Sequence, residues 1–525
     1  MKVVVPALPT TLDWSTSDLT SWVNFPVMLA TQRGLTQLSA DHHVEPCLAR
    51  SWVRSVSAEG HERYLFELRS DVTWSDGVKL TAEDFVLGFH RALQGNERGD
   101  LADLEGADAL FATSAAGAGA EAVERALQHV GVRALGPSTL EVLLTRPHNY
   151  FLARLANVYV YFPVPSHDLR GLSADAARAY FDRPRDGKPR ALGPFRVERW
   201  DRAGERLRLV LNPRSAFLPK LQPGERAVTA ITFLRSEVGP ALFARGRVDF
   251  LAVDNAIGLR GDLSSAHRQP LLSTYFLAFN TQRPPLDSVE ARRALAMALD
   301  PRLLTDGLMP DIRRTSVLVP AELPGGVSAD RMAGLPSFDL TESKRLLAKA
   351  FHPERTLRLI YHAGHSFIPE VAVAERIKFL LRRVGVLVEL EAREDFSAEL
   401  ARVGRDGFRA PDLSLRRIGA DYAHPNSFLT FFTPQGNHLT GWETLEHGQA
   451  IARYVAYLNA ADAQPRPEDG AALYAKAQEI LLGEQVVLVP LFHPDRYYRV
   501  QPRVAGLGIS PFNFLSLSDA RWSAR

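Results

Sequence analysis

Residues 64–84 read Tyr64-Leu65-Phe66-Glu67-Leu68-Arg69-Ser70-Asp71-Val72-Thr73-Trp74-Ser75-Asp76-Gly77-Val78-Lys79-Leu80-Thr81-Ala82-Glu83-Asp84. Tyr64, Phe66 and Leu68 alternate with Leu65, Glu67 and Arg69, the two-residue period of a strand with one better-buried face. Trp74-Ser75-Asp76-Gly77 is a turn. Thr81 and Asp84 then form a capping-box-like helix start, the hydroxyl and the carboxylate able to satisfy orphan amides. Phe85, Phe89 and Leu93 recur every four residues behind it and give the helix an apolar face.

The same alternation extends in both directions. Upstream, residues 3–5 read as a short buried strand before a Pro-bearing turn at 8–11. Downstream, Leu140, Val142 and Leu144 mark a strand, and Gly193-Pro194-Phe195 opens a strand-rich stretch through Leu207, Leu209 and Leu211. Strands are expected at 231–234, 275–280, 357–361, 386–391 and 486–491, and helices at 343–350 and 375–383. Asp287, with Glu290 at the third helical position, caps a helix running to Leu299. Leu473, Ala477, Ile480 and Leu481 form a helix stripe that Gly483 stops. The Ala/Gly stretch 115–120 reads as a flexible loop, and the Pro, Gly and charge-rich run 183–189 as a crossing between domains. Such repeated alternation argues for α/β lobes with mixed sheets.

The 525 residues amount to three or four domain lengths at roughly 150 residues each. With Lys+Arg 62 against Asp+Glu 60 the net charge is +2, without the basic surplus of a general nucleic-acid binder or an anionic-membrane anchor. A composition 46% hydrophobic and 23% charged excludes disorder as the main state. Cys47 is the one cysteine, which excludes an intramolecular disulfide and a Cys-ligated metal cluster; it reads as a small buried thiol. No apolar run approaches the roughly 20 residues that span a bilayer. The opening Met1-Lys2-Val3-Val4-Val5-Pro6 breaks at a proline, short of the apolar region of about 7–15 residues in a signal peptide, so a cytoplasmic location stays open beside an exported one.

No Gly-x-Ser-x-Gly elbow, His-Glu-x-x-His pair or calcium loop occurs in the sequence, and no Gly-Lys-Ser/Thr follows the 115–120 stretch. His42 and His43 are adjacent, so they point to opposite faces on a strand or are solvated on a loop. The expectation is a non-enzyme without cofactor or metal. One cluster stands out: Arg416-Arg417-Ile418-Gly419-Ala420-Asp421-Tyr422-Ala423-His424-Pro425, just after an expected strand at 412–415, with a second polar and aromatic group at 437–442. Two readings are open. One is a Pro-containing surface loop with a solvated charge run; in the other, an ionised Asp receives a ligand ammonium group through a charge-assisted hydrogen bond.

With these motifs on the page, the chain resembles the peptide-binding (family 5) solute-binding proteins of ABC importers, in order and over nearly its whole length. The resemblance rests on Leu12-Asp13, Pro46-Cys47-Leu48-Ala49-Arg50-Ser51-Trp52, the 66–84 block, Gly193-Pro194-Phe195, Asn212-Pro213, Gly246-Arg247-Val248-Asp249, Phe279-Asn280, Pro285-Leu286, Arg292-Arg293-Ala294-Leu295 and Asp300. It implies a type II periplasmic-binding-protein fold, two lobes around a hinged cleft plus an extra domain inserted in lobe I. Lobe I would comprise 1–40, 188–272 and 494–525, the inserted domain 41–187, and lobe II 273–493.

The resemblance also implies capture of an extended peptide, without catalysis, for delivery to the membrane permease subunits of an ABC importer. The expected protein is a periplasmic or cell-surface monomer with no nucleic-acid partner. Asp421, in Ala420-Asp421-Tyr422-x-x-Pro425, matches the family's aspartate that pairs with the peptide's α-ammonium group. Ser17, Asp18 and Thr20 fall where the family's lobe I loop lines the cleft, and Trp442 matches a second family stretch where packing and ligand contact are both open. Gly419 and Tyr422 flank the anchor, Ile418 departs from the aromatic residue common in the family, and Arg416 and Arg417 are additional charges, one able to meet a ligand carboxylate. A cytoplasmic ligand-sensing domain of similar fold, and a non-peptide ligand (metal chelate, haem or oligosaccharide), remain the alternatives.

Overall fold

The computed structural model describes residues 1–5, 7–15, 24–95, 98–236, 238–253, 265–309, 312–350, 356–363, 368–394, 411–434, 436, 440–442 and 448–524. The chain divides into two compact units, Met1–Ala252 with Tyr498–Arg525, and Val253–Tyr497.

At the centre of the first unit's main sheet lies Lys2–Val5, parallel to Ala230–Arg235 on one side and to Phe250–Ala252 on the other. A strand with neighbours on both edges has little surface left for water, which is why this segment is the apolar run Val3-Val4-Val5, with Val3 and Val5 buried. Arg206–Leu211 and Phe195–Asp201 extend the sheet antiparallel beyond Ala230–Arg235. Asp249, from the Gly246-to-Asp249 motif, latches this centre: its carboxylate accepts the Lys2 amide at 2.8 Å and Arg503 Nε at 2.7 Å.

A second sheet of the first unit is wholly antiparallel, in the order Ala49–Val56, Glu62–Leu68, Thr139–Leu144, Val132–Gly136. Glu62–Leu68 alternates strictly, Tyr64, Phe66 and Leu68 inward, as the period requires. The turn after it buries Trp74 completely and gives Gly77 a φ of +96°, a conformation that favours glycine. Asp84 unites turn and helix. Its carboxylate accepts the Thr81 amide at 2.9 Å, Trp74 Nε1 at 3.1 Å, and the amide and hydroxyl of Ser166 at 2.9 and 2.6 Å. Helix Ala82–Leu93 then buries Phe85, Phe89 and Leu93 against the sheet.

One reading in this unit changes. The expected loop at 115–120 shrinks to 116–119, because helices Ala107–Ala115 and Ala120–Leu127 claim its ends; alanine is the best helix former, and only the glycines break the helices. The run 183–189 lies inside the first unit as a tight turn, with Asp186 and Gly187 at positive φ.

The second unit is built on a six-stranded sheet, ordered Arg313–Arg314, Leu488–His493, Ser273–Phe279, Leu413–Gly419, Thr356–His362, Leu387–Arg393. Ser273–Phe279 is buried at every residue and antiparallel to both neighbours. Helices Leu340–Ala350 and Glu370–Arg382 match the expected pattern, the latter starting earlier. The cap of helix Val289–Ala298 is Ser288, whose hydroxyl accepts the Ala291 amide, rather than Asp287, whose carboxylate accepts Ser288's own amide at 3.0 Å. Gly483 does not stop the helix Ala471–Gln478 either: a π-helical turn, Glu479–Glu484, carries the chain past it. The positive φ falls on Val486 instead, and the Val487 amide closes back on the Leu481 carbonyl at 2.9 Å. Arg292 holds that ending. Its buried guanidinium donates to the carbonyls of Gln485, Val486, Leu286 and Asp287, and burial pushes its pKa down to about 10.

The largest correction concerns the strand expected at 412–415. It runs Leu413–Gly419, so the supposed surface loop begins four residues later. Arg416 pairs opposite Phe276 and Arg417 opposite Tyr275. Strand alternation sends neighbouring side chains to opposite faces, which leaves Arg416 buried and Arg417 exposed. Among the described residues no helix is long and apolar enough to cross a membrane.

Candidate ligand-binding site

Asp421 follows the end of Leu413–Gly419 by two residues and is exposed. The Ala420 amide donates to the Leu272 carbonyl at 2.9 Å, sewing the chain to its neighbour as it leaves the sheet. Asp421's own amide donates to Ser427 Oγ at 2.9 Å, and the Ser427 amide to the His424 carbonyl at 3.2 Å, so the turn closes on itself. Inside it, Tyr422 OH donates to Asn426 Oδ1 at 2.5 Å, and the Asn426 amide donates to His424 Nδ1 at 3.0 Å. Asn426 Nδ2 reaches out of the turn to Asp462 Oδ2 at 2.7 Å, the last residue of helix Gly448–Asp462. Tyr474 OH, from Ala471–Gln478, donates to Asp462 Oδ1 at 2.7 Å. Tyr422, His424, Asn426, Asp462 and Tyr474 are at most 4% exposed. A buried, hydrogen-bonded base therefore carries one exposed carboxylate, an arrangement suited to receiving a cationic group.

The other expected site residues are distributed unevenly. Ile418 is buried and Gly419 half-buried within the strand, and Arg417 Nη1 donates to Ser273 Oγ at 3.3 Å. Trp442 is 1% exposed; its Nε1 donates to the Phe432 carbonyl at 3.1 Å, and its ring meets Tyr454 edge-on. Gly441 before it has φ +68°, and a Cβ there would sit 2.6 Å from Gln282. Residues 437–439 of the same group, together with Ser17, Asp18 and Thr20, lie outside the described residues.

The residues just before that N-terminal group are held firmly. Asp13 Oδ2 accepts Arg91 Nη2 at 2.8 Å, Ser15 Oγ donates to Asp13 Oδ1 at 2.7 Å, and Arg91 Nε donates to Ser15 Oγ at 2.9 Å. Trp14 stands edge-on to Phe181, with ring centroids 4.9 Å apart.

Cys47 is buried, and burial pushes its thiol pKa up to about 11, an unreactive environment. His42 and His43 occupy the turn between strands Thr36–Leu38 and Val44–Pro46. Among the described residues, Asp76, His167 and Asp168 bring metal-type ligand atoms within 4.8 Å of one another. Arg190 Nε lies 3.1 Å from Asp76 and 2.9 Å from Asp168, and Lys188 Nζ 3.4 Å from Asp168. Those cations answer the carboxylates, and the cluster ties the 183–190 turn to the rest of the first unit.

Four groups of the Asp421 base went unread in the sequence: His424 and Asn426 in their ligating roles, and Asp462 and Tyr474 altogether. A polar His-Pro-Asn triplet at 424–426 marked the turn. No local signal marked Asp462 or Tyr474, which meet the turn only through folding.

Two α/β units and the ordered motifs above are the features of the solute-binding proteins. The family model described as bacterial extracellular solute-binding proteins, family 5 (middle), matches residues 43–438, and the chain belongs to that family. The probable deoxycholate-binding periplasmic protein YgiS of Escherichia coli K12 is 27% identical, over 91% of this chain and 85% of that protein. The oligopeptide-binding protein OppA of Bacillus subtilis 168 is 24% identical, over 90% and 84%. Among solved structures, the unliganded open form of the periplasmic murein tripeptide-binding protein MppA superposes with a TM-score of 0.72 at 20% identity, covering 99% of this chain and 97% of that one. Haemophilus influenzae OppA in complex with the peptide RPPGFSPFR gives 0.70 at 20%, covering 100% and 99%. The fold is the type II periplasmic-binding-protein fold.

Proposed function

We propose that this chain is the peptide-binding component of an ABC importer and that Asp421 receives the α-ammonium group of the bound peptide. The observation carrying this reading is the exposed Asp421 carboxylate on its buried, cross-braced turn. Backbone hydrogen bonds to an extended ligand supply affinity with little sequence preference, and one fixed carboxylate sets the register of the amino end. Ser17, Asp18, Thr20, Arg416, Arg417 and Trp442 complete the ligand-binding set of this reading. Residues 1–40, 188–272 and 494–525 act as lobe I, 41–187 as its inserted domain, and 273–493 as lobe II. The protein works outside the cytoplasm as a monomer beside its permease, without catalysis, cofactor or nucleic acid.

The similarity to a probable deoxycholate-binding protein favours a second reading, a non-peptide carboxylate ligand met by Arg416 or Arg417. Native mass spectrometry of the purified protein, followed by release and sequencing of what co-purifies, separates the two. A heterogeneous ladder of short peptides is the expected result; a single non-peptide species overturns the peptide reading.

A further inference from the structure

We infer that Asp462 is a positioning residue for the anchor, setting the shape of the Asp421 turn from the end of a helix that lies 36 residues beyond Asn426 in sequence. The reasoning starts from donors and acceptors. Asp462 accepts at both oxygens, and the group of Asn426 facing Oδ2 at 2.7 Å is its NH2. The opposite face of that amide is then the oxygen, and Tyr422 OH at 2.5 Å has to donate to it. On the other side Tyr474 OH spends its one proton on Asp462 Oδ1 at 2.7 Å, leaving its oxygen to face His424 Nε2 at 3.5 Å. His424 Nδ1 accepts the Asn426 amide at 3.0 Å, so the imidazole is neutral and carries its proton on Nε2, toward that tyrosine oxygen.

The polarities of the Asn426 side-chain amide and of the Tyr422 and Tyr474 hydroxyls thus follow from one carboxylate, and that of His424 from the Asn426 backbone amide. Asp462 is the point where the turn's two internal braces, Tyr422–Asn426 and His424–Asn426, are tied to both helices. Asn at position 462 brings in an NH2 where both neighbours donate. Either Asn426 loses its acceptor, or Tyr474 turns its proton onto His424 Nε2 and forces the tautomer that cannot accept the Asn426 amide. Asp421 is chained to this base through Ser427, whose amide bonds the His424 carbonyl. That Asp462 matters for ligand affinity rests on the anchor reading above; that it holds the turn does not.

The test uses the full chain and hydrogen exchange read by mass spectrometry over residues 420–428, for wild type, Asp462→Asn, Tyr474→Phe and Asp421→Asn. Exchange at the Asp421 and Asn426 amides is expected to speed up about tenfold in Asp462→Asn, the effect of losing one buried hydrogen bond. Tyr474→Phe, which keeps the ring, gives a smaller rise in the same segment. Asp421→Asn leaves exchange unchanged, and strand Glu62–Leu68 in the other unit is unchanged in all variants. Calorimetry with tri-alanine adds the functional arm: Asp462→Asn weakens binding about tenfold, but not when Asp421→Asn is already present. Unaltered exchange at 420–428 in Tyr474→Phe and in folded Asp462→Asn overturns the inference. Faster exchange with an Asp421→Asn affinity equal to wild type upholds the positioning of the turn and sinks the ammonium anchor instead.

Discussion

In the proposed site, Asp421 and the residues beneath it divide the work. The carboxylate is exposed, so its own truncation removes little buried contact; the side chains that hold it are buried and fully engaged. Asp421→Ala should therefore leave the thermal midpoint nearly unchanged while weakening peptide binding by about 2–5 kcal/mol, the usual cost of truncating one partner of a charge pair buried on complex formation. Calorimetric titration beside a thermal scan separates the two effects, and an unchanged affinity removes Asp421 from the site. Arg416 and Arg417 show the limit of reading single residues. Adjacent and alike, they read in the sequence as one charge run, yet strand alternation buries one and exposes the other.

At the scale of elements, buried charged side chains act as joints. Asp84 links a turn, a helix start and the Ser166 segment through four hydrogen bonds, while Arg292 gathers carbonyls where the π turn ends. Removing the Asp84 carboxylate orphans the Trp74 indole N–H and the Thr81 and Ser166 amides. Asp84→Ala is expected to cost about 3–4 kcal/mol, since unpaired buried donors add to the lost bonds. Denaturant unfolding measures this, and a loss under about 1 kcal/mol contradicts the joint. The capping residue was legible at Thr81-Ala82-Glu83-Asp84 because the box is local, but Asp84's bonds to Trp74 and Ser166 were not. The π turn's ending was equally hidden: Arg292, which binds the carbonyls that follow it, lies about 190 residues upstream.

For the whole molecule, acid should weaken both units through buried histidines, since burial lowers the pKa of His90 in the first unit as it does that of His493 in the second. In the second, burial first and then the Arg313 charge push His493 down to about 4, with Glu322 and the Ser273 carbonyl opposing. The folded unit thus binds this proton more weakly than the unfolded chain, whose histidine titrates near 6.5. Stability is full above that pH and drains as pH falls toward about 4, by about 3 kcal/mol when complete. In the first unit, burial pushes the Asp103 carboxyl up, but His148, Arg154 and Arg146 outweigh it and hold it well below the ordinary carboxylate range. Its contribution persists until pH drops below about 4. Scanning calorimetry from pH 7 to pH 4.5 should show the second unit's transition moving down, and His493→Asn should flatten that dependence. An equal shift in the variant rules His493 out as the cause.

What the sequence determined by itself were the features carried by neighbours in the chain: strand and helix periods, a capping box, the order of α/β elements, and the string of short motifs that marks the family. The motif around Asp421 was legible for that reason, because it is contiguous. Only the tertiary structure decided that Arg416 points inward, that Trp442 gives its N–H to Phe432, and that Asp462 and Tyr474 lie beneath the Asp421 turn. Spacing along the chain fixes which side chains share a face, whereas hydrogen bonds between helices and turns 36 or 50 residues apart depend on how those elements pack together.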